Sequence, residues 1–151
     1  MLGAGGAGRT AALKLATVPV KELFLVNRTR SKAEAVAQEI QQKNPGLKLT
    51  LGYPSAPVDL ALNATSLGLQ SGDDLPFGEQ QFSLKLAGAV YDMIYRPAET
   101  RFLALAKKAG CRTANGLGML LYQGAKALEI WTGQPAPIEI MRRALVQNIY
   151  G

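Results

Sequence analysis

Met1-Leu2-Gly3-Ala4-Gly5-Gly6-Ala7-Gly8-Arg9 is the stretch on which the fold turns. Two apolar residues run into glycines at positions 3, 5 and 8, and an Ala- and Leu-rich segment follows to about Ala16. In a Gly-x-Gly-x-x-Gly turn from strand to helix, the first glycine makes the tight turn, the second lets the backbone approach a pyrophosphate, and the third lets the helix pack closely. The helix N-terminus then offers free N–H groups and positive dipole to an anion. Glycine-rich turns also occur in loops that bind nothing, so the context decides. Here Leu23-Phe24-Leu25-Val26 supplies a short apolar run, suited to a strand buried on both faces, at the distance a strand–helix–strand unit requires.

Working outward, strand and helix patterns alternate. Ser31 with Glu34 three residues on reads as a capping box, and Ala33, Val36, Ala37 and Ile40 form a helical stripe ending before Asn44-Pro45-Gly46. Strands are expected at about 47–51, 58–63, 87–92 and 111–113, and a helix over 98–109 closed by Gly110. The polar stretch from Ser66 to Gln81 is the longest without periodicity and reads as a loop, of a length that is often a binding loop or simply mobile. Two helices end the chain, about 117–132 and 137–149, the second opened by Pro137 at its first position. This order predicts an α/β fold, a Rossmann-like doubly wound, mostly parallel sheet with flanking helices and C-terminal helices, residues 1–151 forming one domain. In the 3-2-1-4-5-6 order the first strand is central, and Met1-Leu2 supply only its last residues, so that strand is expected to be truncated.

Composition bounds the chemistry. The chain has 151 residues, 48% apolar and 19% charged, enough for one core. It contains no histidine, which removes His-based triads and His-ligated metal sites; no metal site is expected. Cys111 is the single cysteine, in keeping with a reducing, cytoplasmic setting. No run of 18 apolar residues suggests a membrane span. The net charge of +6 points to an anionic ligand, but the cations are scattered and no RNA- or DNA-reading motif accompanies them, so nucleic acid is not expected.

The choice of dinucleotide is made about twenty residues past the glycines, where NAD-binding folds place an acidic residue on the ribose 2′-hydroxyl. This chain has Asn27-Arg28-Thr29-Arg30-Ser31-Lys32 there. No carboxylate stands at the strand end to repel a 2′-phosphate, and arginine can grip one in bidentate fashion, so NADP is expected over NAD. On its own, Tyr122 with Lys126 would suggest a Tyr-x-x-x-Lys proton-donating pair, but a four-residue spacing on a helix arises by chance. Asp92 at a strand end reads as a cap for the next turn.

Five blocks in order resemble the C-terminal NADP-binding domain of the shikimate dehydrogenase family. They are the glycine stretch through Arg9, Asn27-Arg28-Thr29 with Lys32-Ala33, Asn63-Ala64-Thr65-Ser66-x-Gly68, Tyr91-Asp92-Met93-Ile94-Tyr95-x-Pro97 with Thr100, and Asn115-Gly116-x-Gly118-Met119-Leu120-x-x-Gln123-Gly124. The resemblance implies NADP-dependent interconversion of 3-dehydroshikimate and shikimate in aromatic amino-acid biosynthesis. It implies that Gly5, Gly6 and Ala7 border the pyrophosphate, with Gly3 making the turn of the same cofactor-binding loop, and that Asn27, Arg28, Thr29 and Lys32 hold the adenosine ribose and its 2′-phosphate. Thr65, Ser66 and Met93 would line the cofactor path, Gly116 and Met119 would lie near the nicotinamide, and Tyr95 and Gln123 would reach the substrate ring hydroxyls.

The family also has an N-terminal domain with shikimate-binding serines and a catalytic Lys–Asp pair, which this sequence does not show. The expectation is therefore a fragment of a two-domain protein, inactive alone, with no catalytic residue of its own. A second copy supplying the missing strand edge would make a homodimer. The other readings are a non-catalytic NADP-binding or regulatory module and a quinate-using relative.

Overall fold

A computed structural model describes residues 1–151. In chain order its elements are α1 (Gly6–Leu15), β1 (Glu22–Leu25), α2 (Arg30–Lys43), β2 (Lys48–Leu51), β3 (Val58–Asn63), β4 (Ala87–Asp92), α3 (Arg101–Lys108), β5 (Arg112–Ala114), α4 (Leu117–Thr132) and α5 (Ile138–Tyr150). A single 3₁₀ turn, Leu84–Leu86, leads into β4. All strand pairs are parallel: β1 with β2, β3 with β4, and β4 with β5. The two groups meet through one residue, Leu2, which bridges Val26 on one side and Asn63 on the other. Its N–H donates to Leu62 O at 2.8 Å, and its carbonyl accepts from Ala64 N at 2.8 Å. The order across the molecule is thus β2, β1, Leu2, β3, β4, β5, the Rossmann-like order with its central strand reduced as expected.

Two apolar clusters flank this sheet. Ala12, Leu23, Leu25, Ala33, Val36 and Ile40 tie α1 and α2 to β1. Phe77, Phe82, Val90, Phe102, Leu103 and Ala106 tie α3 and the 3₁₀ region to β3 and β4, with three phenylalanine rings in contact. The small residues of α1 allow it to lie against the sheet: Ala12 is fully buried.

Three local expectations are corrected. Ser31 does not cap α2. Thr29 is the N-cap, without a side-chain bond, because Glu34 turns to Arg30 at 2.9 Å instead of reaching back to the helix start. The strand over 23–26 is buried on one face only: Leu23 and Leu25 are enclosed, while Phe24 and Val26 stay half-exposed. They line a groove of about 510 Å³ between β1 and β3, walled also by Tyr53, Leu60 and Phe82. Pro137 is the N-cap of α5 and not its first residue.

Candidate dinucleotide site

The glycine loop has the geometry its spacing implies. Gly3 has φ +101°, and a Cβ there would sit 2.8 Å from Ala64 O; one on Gly8 would sit 2.3 Å from Gly3 O. Gly5 and Gly6 face open space. Gly5 is the N-cap of α1, no side chain caps this end, and no acidic residue lies in the first turn. The first N–H groups of α1 therefore point outward uncompensated, as an anion site requires.

Asn27 holds this loop to the end of β1. Its Oδ1 accepts from Ala4 N at 2.9 Å, and its Nδ2 donates to Thr29 O at 2.8 Å. Two of its four hydrogen-bonding capacities are spent here, so its first task is to place Arg28 and Thr29 beside the glycines. Arg28 and Lys32 are exposed and make no ion pair, whereas Arg30 is engaged by Glu34 and Arg9 by Glu39. A ligand phosphate at this corner meets two free cations and no carboxylate. These residues fit the adenosine 2′-phosphate of a dinucleotide.

Past the loop, a crevice of about 1180 Å³ opens at the C-terminal ends of the strands. It brings together Ala7, Thr65, Met93, Tyr95 and Met119 from four separate blocks. Gly116 lies behind the wall: a Cβ there would stand 2.0 Å from Met93 O, and its N–H donates to Ile94 O at 3.0 Å. This close approach lets α4 start directly beneath Met93. Ser66 and Gln123 are both exposed and neither lines the crevice. Tyr122 and Lys126 are not a pair; the tyrosine hydroxyl faces Arg142 at 3.4 Å and the lysine faces Glu129 at 3.2 Å.

Beneath the crevice, Asp92 is fully buried, as are Asn63 and Thr100. The aspartate caps the next turn, as its position suggests, by accepting from Ile94 N at 3.1 Å. Burial without a cation holds its carboxyl above the ordinary range, although Thr100 Oγ1, Ile94 N and Asn63 Nδ2 all donate to it. Asp73 shows the reverse: Gly68 N and Gln70 N donate to one oxygen at 2.9 Å each, and its carboxyl falls below the usual range.

One feature escaped sequence reasoning, and part of the aperiodic stretch from Ser66 to Gln81 lines the crevice. Tyr150, at the end of α5, lines the crevice; its hydroxyl donates to Tyr95 O at 2.6 Å and accepts from Asn115 Nδ2 at 2.9 Å. The loop from Leu67 to Pro76 forms one crevice wall, including Asp73 and Asp74. No short motif announces a contact between residues 55 positions apart.

A parallel sheet with a glycine turn at its centre, and a crevice beside it at the strands' C-terminal ends, is the Rossmann-type arrangement, the class of fold in which dinucleotides bind at that place. Residues 116–146 match the family model described as the Shikimate 5'-dehydrogenase C-terminal domain. Over 156 residues the chain is 37% identical to the shikimate dehydrogenase (NADP(+)) of Methanopyrus kandleri, covering 99% of this chain and 54% of that protein. A crystal structure of a shikimate dehydrogenase in complex with NADP+ superposes with a TM-score of 0.82 at 36% identity, over 99% of this chain and 53% of that one. The quinate dehydrogenase of Corynebacterium glutamicum, in complex with NAD, gives 0.80 at 29% identity, over 96% and 53%. By sequence and by fold the chain is related to the shikimate dehydrogenases, and it spans about half the length of the curated relatives it matches.

Proposed function

We propose that residues 1–151 are the NADP-binding domain of a shikimate dehydrogenase, which interconverts 3-dehydroshikimate and shikimate. The observation that carries this is the corner where exposed N–H groups of α1 meet the unpaired Arg28 and Lys32, with no acidic residue to oppose a 2′-phosphate. In this reading Gly5, Gly6 and Ala7 border the pyrophosphate, with Gly3 making the turn of the same loop, and Asn27 sets Arg28, Thr29 and Lys32 against the adenosine ribose and its phosphate. Thr65, Met93 and Met119 enclose the nicotinamide end, with Gly116 admitting α4; Ser66 is assigned to the cofactor path by its motif, next to Thr65 and outside the crevice lining. Tyr95 and Gln123 are assigned to the substrate hydroxyls, which requires Gln123 to be met from outside the crevice.

Bound NADPH supplies the hydride for the ketone carbon; the alkoxide oxygen also needs a proton. None of this chain's own residues is assigned that donation, which falls to the family's Lys–Asp pair. The 151-residue polypeptide by itself is therefore expected to show no shikimate oxidation with NADP+. Adding a polypeptide with that pair is expected to restore turnover; persistent inactivity of the mixture would instead favour a non-catalytic NADP-binding module. Quinate as substrate is the second reading, supported by the quinate dehydrogenase neighbour. The mixture oxidising quinate faster than shikimate would select it.

The unbridged, buried Cys111 supports placing the protein in the cytoplasm, and no helix is long and apolar enough to cross a membrane. Self-association is assigned to the groove between β1 and β3, to be read by size-exclusion chromatography.

A further inference from the structure

Four strand ends carry Asn or Asp, at positions 27, 63, 92 and 115, and each side chain bonds the backbone two residues on. Only at 63 and 92 does one such side chain also bond another. Asn63 uses all of its capacity. Its Oδ1 accepts from Thr65 N at 3.0 Å and from Thr65 Oγ1 at 2.7 Å; its Nδ2 donates to Leu67 O at 3.2 Å and to Asp92 Oδ1 at 3.0 Å. Asp92 passes the connection to Ile94 N and, at 2.6 Å, to Thr100 Oγ1, which in turn caps α3 by accepting from Leu103 N. The Asn63 carbonyl also accepts from Met93 N at 2.9 Å. One buried amide thus joins the Thr65 loop, the Met93–Ile94 turn and the start of α3.

We infer that Asn63 is a positioning residue for the nicotinamide end of the cofactor site, acting through Asp92 to hold Thr65 and Met93 at fixed separation across the crevice. This rests on the NADP-binding reading. Rotating the amide by half a turn would set its NH₂ against Thr65 N and its oxygen against Leu67 O, so the orientation is unique. It also fixes chemistry at Thr65. The hydroxyl proton is committed to Asn63 and one lone pair receives Leu67 N at 3.1 Å, leaving a single lone pair. A ligand that reaches Thr65 Oγ1 meets an acceptor, suited to the N–H of a carboxamide.

The test compares two probes, NADPH and adenosine 2′,5′-bisphosphate, which carries only the adenosine end. Asn63→Asp replaces the amide donor by a second carboxyl against Asp92, and at a pH where both are ionised the two repel and no donor remains between them. NADPH affinity is expected to fall at least ~10-fold, with the bisphosphate within about 2-fold of the unsubstituted chain. Adding Asp92→Asn restores a donor opposite the new carboxylate and is expected to recover part of the loss. Equal weakening of both probes, no change for NADPH, or no recovery in the double variant would overturn the inference. If Asn63→Asp does not fold by circular dichroism, Thr65→Val decides: it keeps shape and removes the hydroxyl, so NADPH alone should weaken, and unchanged NADPH binding refutes the role. Failure of the unsubstituted chain to bind either probe would overturn the cofactor reading itself, a distinguishable result.

Discussion

The two ends of the sheet are built on opposite principles. At the C-terminal end every strand except β2 ends in, or is followed within two residues by, an Asn or Asp whose side chain closes the next turn, and no buried side-chain polar atom lacks a partner. At the N-terminal end, beyond Leu2, β1 and β3 face each other across an apolar groove with no strand between them. Local polar bonds therefore preform the crevice, whereas the opposite end is lined by apolar side chains of β1 and β3. The turns at the crevice are fixed from their own side chains as well as by the sheet beneath them.

The sharpest way to break this contrast is Gly116→Ala. The added methyl would stand 2.0 Å from Met93 O, backbone that cannot yield cheaply, and the crevice wall would open. A loss of roughly 2–4 kcal/mol is expected by denaturant unfolding. Gly118→Ala, where a Cβ meets nothing, should be neutral or stabilising by up to about 1 kcal/mol. Equal effects from the two would contradict the account of the wall.

Arg28→Ala comes next. Its guanidinium is exposed and unpaired, so stability should hold, while NADPH affinity drops by an amount worth about 1.5–3 kcal/mol and NADH affinity does not. Calorimetric titration of both cofactors reads this directly. A parallel loss for NADH would place Arg28 on the pyrophosphate instead of the 2′-phosphate.

Asp92 gives a pH signature at the crevice end. Its carboxyl holds its proton more tightly folded than unfolded, so its contribution is full below the ordinary aspartate pKa of about 3.9 and is lost as pH rises through the raised folded value. Subtracting the Asp92→Asn stability profile from the parent profile should leave a difference that declines with rising pH and then levels off. A difference that grows with pH would mean that the carboxylate is the favoured form. Asp73, held low by backbone N–H groups, acts in the opposite sense and cancels in this subtraction.

The smallest effect belongs to the groove. Leu60 is 42% exposed there, so Leu60→Ser should change stability by no more than about 0.5 kcal/mol in denaturant unfolding. A cost above about 2 kcal/mol would show that the groove is closed in solution.

Much of this was legible in the sequence because the signals are local. Glycine spacing gave the turn, alternation of apolar runs gave the parallel order, and the strand-end position of Asp92 gave its capping role. The Asn/Asp residue at four strand ends was also available as a pattern, and taken together it points to the crevice end. Misreadings arose where two local partners compete: Ser31 and Glu34 satisfy a capping pattern, but Arg30 one turn before Glu34 takes the carboxylate. Tyr150 on Tyr95 is a tertiary meeting of distant residues and has no spacing signal. Gln123 matches its motif yet lies outside the crevice, because a helical position fixes a face without fixing what that face meets.

The central claim is that these residues form a preformed site selective for the 2′-phosphate. Isothermal titration of the purified chain with NADPH and with NADH tests it most directly. The account predicts saturable NADPH binding at least ~10-fold tighter than NADH, as expected for a phosphate gripped by unpaired cations. Equal affinity for the two, or tighter NADH, would contradict it.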